Sequence, residues 1–166
     1  MISTVISSFQ TGYYDAILQF IGKSHLLLVH VPIGMMLLAV VFQRMGRKPK
    51  NAVFRTVIPT TLLISSSVAL LACISGFLLA GQKPYARGML QWHAWLGVAV
   101  TVLGIIAWRF SGKRPGSWQV DVWRNFIAVA LFVLLLLTGY LGSTLTHGKG
   151  YLTKPTPGKS QTEQPY

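Results

Sequence analysis

Four long apolar stretches constrain this sequence more than any other feature. They cover residues 25–42, 56–80, 92–108 and 126–142 of the 166-residue chain. Each is close to the ~20 residues that a helix needs to cross a bilayer. Only 11% of the residues are charged, whereas soluble domains carry roughly 25%. This pattern excludes a soluble globular protein, and the high apolar content excludes a disordered one.

The apolar stretches predict an all-α integral membrane protein, an up-down four-helix bundle. Helices are expected because a spanning segment must satisfy its own backbone hydrogen bonds, and short connections favour antiparallel neighbours. The transmembrane domain is predicted over residues 24–147. Residues 1–23 form an outer segment, in which Tyr13–Ile21 is either a short interfacial helix or a plain lead-in to the first span. Residues 148–166, rich in proline and glycine, are predicted to be an extended tail.

The positive charge predicts the orientation of the bundle. The chain has 15 Lys and Arg against 3 Asp and Glu, a net charge of +12. Nine of the 15 cations lie in the segments 44–55 and 109–124, which connect spans on the same side. By the positive-inside rule these loops are cytoplasmic, and both termini face the periplasm. The charge therefore indicates membrane orientation and contact with lipid, and we expect no nucleic-acid partner.

The four histidines all fall in the outer layer of the predicted bundle. His25 and His30 lie in the first span, His93 begins the third, and His147 follows the fourth. An imidazole within a span is costly unless it is hydrogen-bonded or ligates a metal. Each histidine alone is adequately explained as a hydrogen-bonded interfacial residue. As a set they suggest a cofactor, since bundles hold haem or metals through side chains of facing helices.

The spacing of the histidines indicates how they would pair. His25 and His30 lie ~140° apart around a helix and ~7.5 Å apart along it, so they are poorly placed to share one ion. His30 lies deeper, and Pro32 bends the helix beside it. We therefore predict that His30 and His93 hold the iron of one haem b. His25 and His147 are candidates for a second pair, or for contacts with the propionates of the first haem.

The residues present give little support to covalent haem attachment, a proton relay or a di-iron site. Cys73 is the only cysteine and no CxxCH motif occurs, so the haem would not be covalently attached. None of the three carboxylates lies within a span, which argues against a proton relay or a di-iron site. A bacteriochlorophyll pigment, which a single histidine can ligate, stays open as an alternative.

Three motifs resemble an uncharacterised family of small bacterial four-helix membrane proteins. The chain has HLLLVHVPIG at 25–34, QWHAWLG at 91–97 and TGYLGSTLTHGKGYL at 138–152. The family patterns similar to these are HPxxVHFPI, WHxWxG and TGHxGGxLxHGxxYL. Leu26 stands where the family usually has proline, and Tyr140 stands where it often has histidine.

The resemblance implies where the protein works and with what. The family domain also occurs fused to planctomycete-type cytochrome c domains, which implies the bacterial inner membrane and redox surroundings on its periplasmic side. A periplasmic c-type cytochrome, or other subunits of a membrane redox complex, are then the expected partners. The tyrosine at position 140 removes one candidate ligand from the outer end of the fourth span.

Two functions follow as expectations. The first is an electron-transfer subunit, rather than a stand-alone enzyme, whose b-type haem is held by histidines near the periplasmic face. Hydrogen bonds to the imidazoles would tune the reduction potential of the haem, and the candidate side chains are Ser24, Gln91, Thr144 and Thr146. The second is a structural or assembly subunit without a cofactor, in which the histidines bond only to each other or to a partner.

Overall fold

The computed structural model describes residues 2–81, 87–112 and 118–148, nearly all of which are helical. In chain order the elements are α1 (Ile2–Leu28), α2 (His30–Met45), a 3₁₀ turn (Pro49–Asn51), α3 (Val53–Ala80), α4 (Arg87–Ser111) and α5 (Trp118–His147). The described residues contain no strand. The prediction of an all-α fold is confirmed.

Four helical stretches are long and apolar enough to cross a membrane. They are Tyr13–Met45, Val53–Ala80, Gly88–Ser111 and Gln119–His147. Each contains one of the spans predicted from hydropathy and extends beyond it at one or both ends. The number of spans is confirmed, and the helices are longer because adding a residue to a formed helix adds a backbone hydrogen bond without a new nucleation cost.

The first span consists of α1 and α2, which meet at Val29. Pro32 has no N–H to donate to the Leu28 carbonyl, so one helical hydrogen bond is missing at this point. The bonds on either side are kept: Val29 N–H donates to the His25 carbonyl at 3.1 Å, and Ile33 N–H donates to the Val29 carbonyl at 3.3 Å. The chain is therefore interrupted for one residue and continues as a helix on both sides.

The N-terminal segment is helical, and the C-terminal tail is largely outside the described residues. Tyr13–Ile21, expected as an interfacial helix or a lead-in, is part of α1 and continues into the first span without a break. Most of the predicted tail, residues 149–166, lies outside the described residues.

The helices pack in a ring in which neighbours in sequence are neighbours in space. The first span packs against α3, α3 against α4, and α4 against α5, and α2 closes the ring against α5. The first span and α4 are therefore diagonal partners, as are α3 and α5. α1 makes at most marginal contact with α5, so a seam lies between these two helices. Contacts between α2 and α5 close the ring along the second half of the first span.

Two ends of the bundle are distinguished by their side chains. The histidine end carries His25 and His93, and the basic end carries Arg47, Arg55 and Arg124. A buried apolar cluster fills the space between them, with Met36 completely buried and Leu131 1% exposed. Its other buried members are Ala69, Val100, Ile127 and Leu135.

Small residues bring α3 and α4 close together. A β-carbon on Gly97 would lie 3.7 Å from the Cys73 sulfur, and one on Gly104 would lie 2.7 Å from the Ser66 hydroxyl oxygen. Gly97 and Gly104 are seven residues apart on α4, and their respective neighbours Cys73 and Ser66 are seven residues apart on α3. The two helices run past each other in opposite directions, as antiparallel packing requires. These glycines therefore serve helix packing of the kind common in membranes.

The core predicts a stability difference between two leucines of α5. Leu131→Ala would leave a cavity in the buried cluster and is expected to lower the free energy of unfolding by about 2 kcal/mol or more. Leu136 is 57% exposed on the same helix, and Leu136→Ala is expected to have little effect. Unfolding of both variants in mixed micelles measures the difference, and equal losses would contradict the packing described here.

Candidate functional site: a histidine pair inside the bundle

His25 projects from α1 toward α3. Its Nδ1 lies 2.7 Å from the Ala72 carbonyl oxygen of α3, which also accepts a hydrogen bond from the Ser75 hydroxyl at 2.9 Å. The ring lies directly over Gly76: a β-carbon at that position would be 2.9 Å from both Cε1 and Nδ1 of His25. A side chain at residue 76 and the ring in its present position exclude each other.

His93 repeats this arrangement on the other side of the bundle. It projects from α4, and its Nδ1 lies 3.2 Å from the Thr138 carbonyl oxygen of α5. A β-carbon on Gly142 would be 3.1 Å from Cε1 of the ring. Each histidine thus uses a backbone carbonyl of the next helix as its anchor and a glycine, four residues further along that helix, as the surface beneath its ring.

The two imidazoles pack against each other in a T-shaped arrangement. Their ring centres are 6.3 Å apart and their planes are perpendicular, at 90°. They come from α1 and α4, which are diagonal partners, so the pair lies inside the ring of helices. A carbonyl oxygen can only accept a hydrogen bond, so each Nδ1 carries the proton. In the neutral tautomer the two Nε2 atoms then keep their lone pairs, which is the state needed to ligate a metal.

The other two histidines lie elsewhere. His30 is exposed on the outside of α2 and has no hydrogen-bond partner among the described residues, and His147 is exposed at the last position of α5. The predicted pair was His30 and His93, but the ring beside His93 is that of His25. The ~140° between His25 and His30 explains why only one of them can point into the bundle.

The partners of the imidazoles also differ from those expected. Hydroxyl groups of Ser24, Thr144 and Thr146 donate to backbone carbonyls of their own helices. Gln91, the other expected partner, is exposed. The anchors are instead the carbonyls of Ala72 and Thr138, which no side-chain pattern marks. Gly76 and Gly142 were the available signal, since both lie in small-residue segments at the outer ends of their spans.

A metal ion bound only by protein side chains has no obvious site here. Among residues 2–81, 87–112 and 118–148, no group of three or more His, Cys, Asp or Glu side chains could hold one. Cys73, the nearest sulfur on α3, lies 3.5 Å from the Thr101 hydroxyl oxygen. The histidine pair therefore offers two nitrogen ligands and no third.

Comparison with known proteins identifies the family. The profile of a family described as "Predicted membrane protein (DUF2231)" matches residues 24–155, more than half of the chain. The chain belongs to this family. The match begins just before His25 and includes His93, both carbonyl anchors and both glycines. No curated protein and no solved structure matches the chain significantly.

Proposed function

We propose that this membrane protein holds one haem b between His25 and His93 and transfers electrons as a subunit of a larger redox complex. The observation that carries the proposal is the pair itself: two imidazoles from diagonal helices, 6.3 Å apart between ring centres. Each has its Nδ1 engaged by a backbone carbonyl, which leaves Nε2 as the ligating atom.

The spacing of the rings is compatible with ligation of one metal from opposite sides. Metal–imidazole nitrogen bonds are about 2 Å long. Two such bonds, with the distance from each nitrogen to its ring centre, add up to roughly 6 Å. The Nδ1–H to carbonyl hydrogen bonds are the usual outer partners of a ligating histidine, because they set its tautomer and fix the orientation of its ring.

The number of ligands favours haem over a bare metal ion. Zinc in a closed protein site takes four ligands and catalytic zinc three, and the described residues supply two histidines here. Haem needs only axial ligands from the protein because the macrocycle supplies the other nitrogens. Two imidazoles are therefore a complete set for haem and an incomplete one for zinc.

α3 and α5, the helices on either side of the pair, present Gly76 and Gly142 at this level, and each glycine lies beneath one of the rings. A planar group between the rings would extend toward the seam between α1 and α5, where the helices make at most marginal contact.

This arrangement supports electron transfer rather than catalysis. Haem, when bound, supplies one-electron redox chemistry. If His25 and His93 both held the iron, no iron position would stay open for a substrate. The exposed positions of His30 and His147 offer no equivalent second pair, so we expect one haem in each chain.

The proposed orientation places the histidine end on the periplasmic side of the bacterial inner membrane, within reach of a periplasmic cytochrome. The basis is the excess of Lys and Arg at the basic end. Lys50 and Thr146 are both exposed and lie at opposite ends of the bundle. In intact cells, a membrane-impermeant thiol reagent is expected to label Thr146→Cys and not Lys50→Cys, with the wild-type chain as the control for Cys73. The reverse pattern would invert the orientation.

An absorption spectrum of the protein purified from a haem-replete host tests the function. We expect a Soret band, sharp α and β bands after reduction, and close to one haem per chain. If the protein retains only the absorption of its aromatic residues, the histidine pair is a structural tie between diagonal helices and the protein is an assembly subunit.

A further inference from the structure

Three arginines converge at the basic end, from three different elements. Arg55 of α3 folds back over the end of α2, where it donates to the Gly46 and Arg47 carbonyls. Arg47 donates to the Asn125 side chain of α5. Arg124 is the residue before Asn125. These hydrogen bonds bring Arg47 and Arg55 to the start of α5, next to Arg124.

The carbonyl and amide groups nearby hold this cluster in place. Gln43 of α2 donates to the Arg124 carbonyl at 3.1 Å and to the Asn125 side chain at 3.4 Å. Gly46 is buried, and a β-carbon there would lie 2.8 Å from Cγ of Arg55, so only glycine allows Arg55 to pack this closely. The α2–α3 turn and the start of α5 are thereby fixed to each other.

Arg124 differs from the other two arginines in having no acceptor. Its guanidinium is half-buried and donates no hydrogen bond to any residue in the described part of the chain. It lines a small, partly open cleft between α2, α3, α4 and α5. The rest of the lining is mainly apolar and includes Ala39, Ile58, Leu62, Phe110 and Leu131.

The charges around the cleft favour an anion. A guanidinium has five donors, and those of Arg124 find no acceptor among the described residues although they are not fully buried. Besides the three arginines, Arg44, Lys48, Lys50 and Arg109 lie at this end, and Asp121 is the one carboxylate there among the described residues. Arginine binds phosphate oxygens in a bidentate manner, and basic pockets between transmembrane helices are typical sites for anionic lipid headgroups.

We propose that this cleft binds the phosphate of an anionic phospholipid. Arg124 donates to the phosphate oxygens, and Arg47 and Arg55 contribute charge and their remaining donors. The partly exposed apolar side chains of the lining, Val40 and Phe110, contact the first part of an acyl chain. A phospholipid combines these two chemistries in adjacent atoms, which a free phosphate ion does not.

Native mass spectrometry of the full chain, released from nanodiscs of mixed phosphatidylglycerol and phosphatidylcholine, tests this site. The wild type is expected to retain phosphatidylglycerol in preference to phosphatidylcholine. Arg124→Gln is expected to lower that retention roughly tenfold, the effect of losing charge-assisted hydrogen bonds. Arg124→Lys, which keeps the charge but not the fork of donors, is expected to lower it less.

Arg44→Gln is the matched control, because Arg44 is exposed at the same end and its replacement removes the same charge. It is expected to retain phosphatidylglycerol like the wild type, and circular dichroism checks that both variants keep their helices. Equal losses in the two glutamine variants would reduce the effect to surface charge and overturn the site. So would retention in Arg124→Gln at the wild-type level, or displacement of the lipid by inorganic phosphate.

Discussion

Replacing His25 or His93 by alanine is expected to abolish haem binding, whereas replacing His30 by alanine leaves it unchanged. Each of the first two substitutions removes one axial ligand and leaves a void inside the bundle. No other histidine is placed to take over: His30 is on the outside of α2 and His147 is at the end of α5. The haem-to-protein ratio after purification should fall at least tenfold in either variant.

His30→Ala is the informative control for this experiment, because it removes an imidazole only five residues from His25. If His30→Ala loses haem and His25→Ala keeps it, the pairing is the one that the sequence alone favours, and the position of the α1 helix described here is wrong. If all three variants keep full loading, histidine does not ligate the haem.

Gly76→Ala is expected to impair haem binding without touching a ligand. The added methyl group would meet the His25 ring at 2.9 Å, and the ring cannot move away while its Nδ1 stays bonded to Ala72. Overpacking of this kind costs about 1–3 kcal/mol. We expect a partial loss of haem, a shifted reduction potential in what remains, and a lower unfolding midpoint.

Gly139→Ala is the matched control for that substitution. Gly139 lies in α5 one turn before Gly142, and a β-carbon there would meet nothing within 4 Å. Alanine is the better helix former by ~1 kcal/mol, so this variant is expected to bind haem normally and to be at least as stable as the wild type. Haem content and potential that do not differ between Gly76→Ala and Gly139→Ala would contradict the role of Gly76.

Hydropathy predicted the fold well because the membrane imposes it. Residues that face lipid and residues that face the core are both apolar, so each span stands out as a block, and short connections leave few ways to arrange four blocks. The helix ends were less predictable. Lys23 lowers the local hydropathy near residue 25, yet α1 continues past it, since the backbone gains hydrogen bonds wherever the helix can extend.

The same uniform hydropathy hid which histidine lies beside His93. Leu26, Leu27, Leu28 and Val31 surround both His25 and His30, so no polar face indicates which side of the helix points inward. The rotation of the first span is set by Pro32, Met36 and Ala39, which are buried. His25 shares that face and His30 does not. The sequence marked His93 as a candidate ligand, and finding the imidazole beside it required three-dimensional information.

Backbone carbonyls are a second part of the site that residue types do not mark. Ala72 and Thr138 matter for where their carbonyl oxygens lie, and those oxygens are close to imidazoles because Gly76 and Gly142 let the rings approach the helices. A glycine marks the carbonyl four residues before it as a hydrogen-bond acceptor only once the neighbouring helix is known.

The central claim is that His25 and His93 are the two axial ligands of one haem iron, and electron paramagnetic resonance of the oxidised protein tests it most directly. Two imidazole ligands predict a low-spin signal, and the 90° between the ring planes predicts the strongly anisotropic form of it. The signal should become high-spin, or vanish with the haem, in His25→Ala and His93→Ala, and should persist in His30→Ala. A high-spin signal in the wild type, or a low-spin signal that survives His25→Ala, would contradict the account.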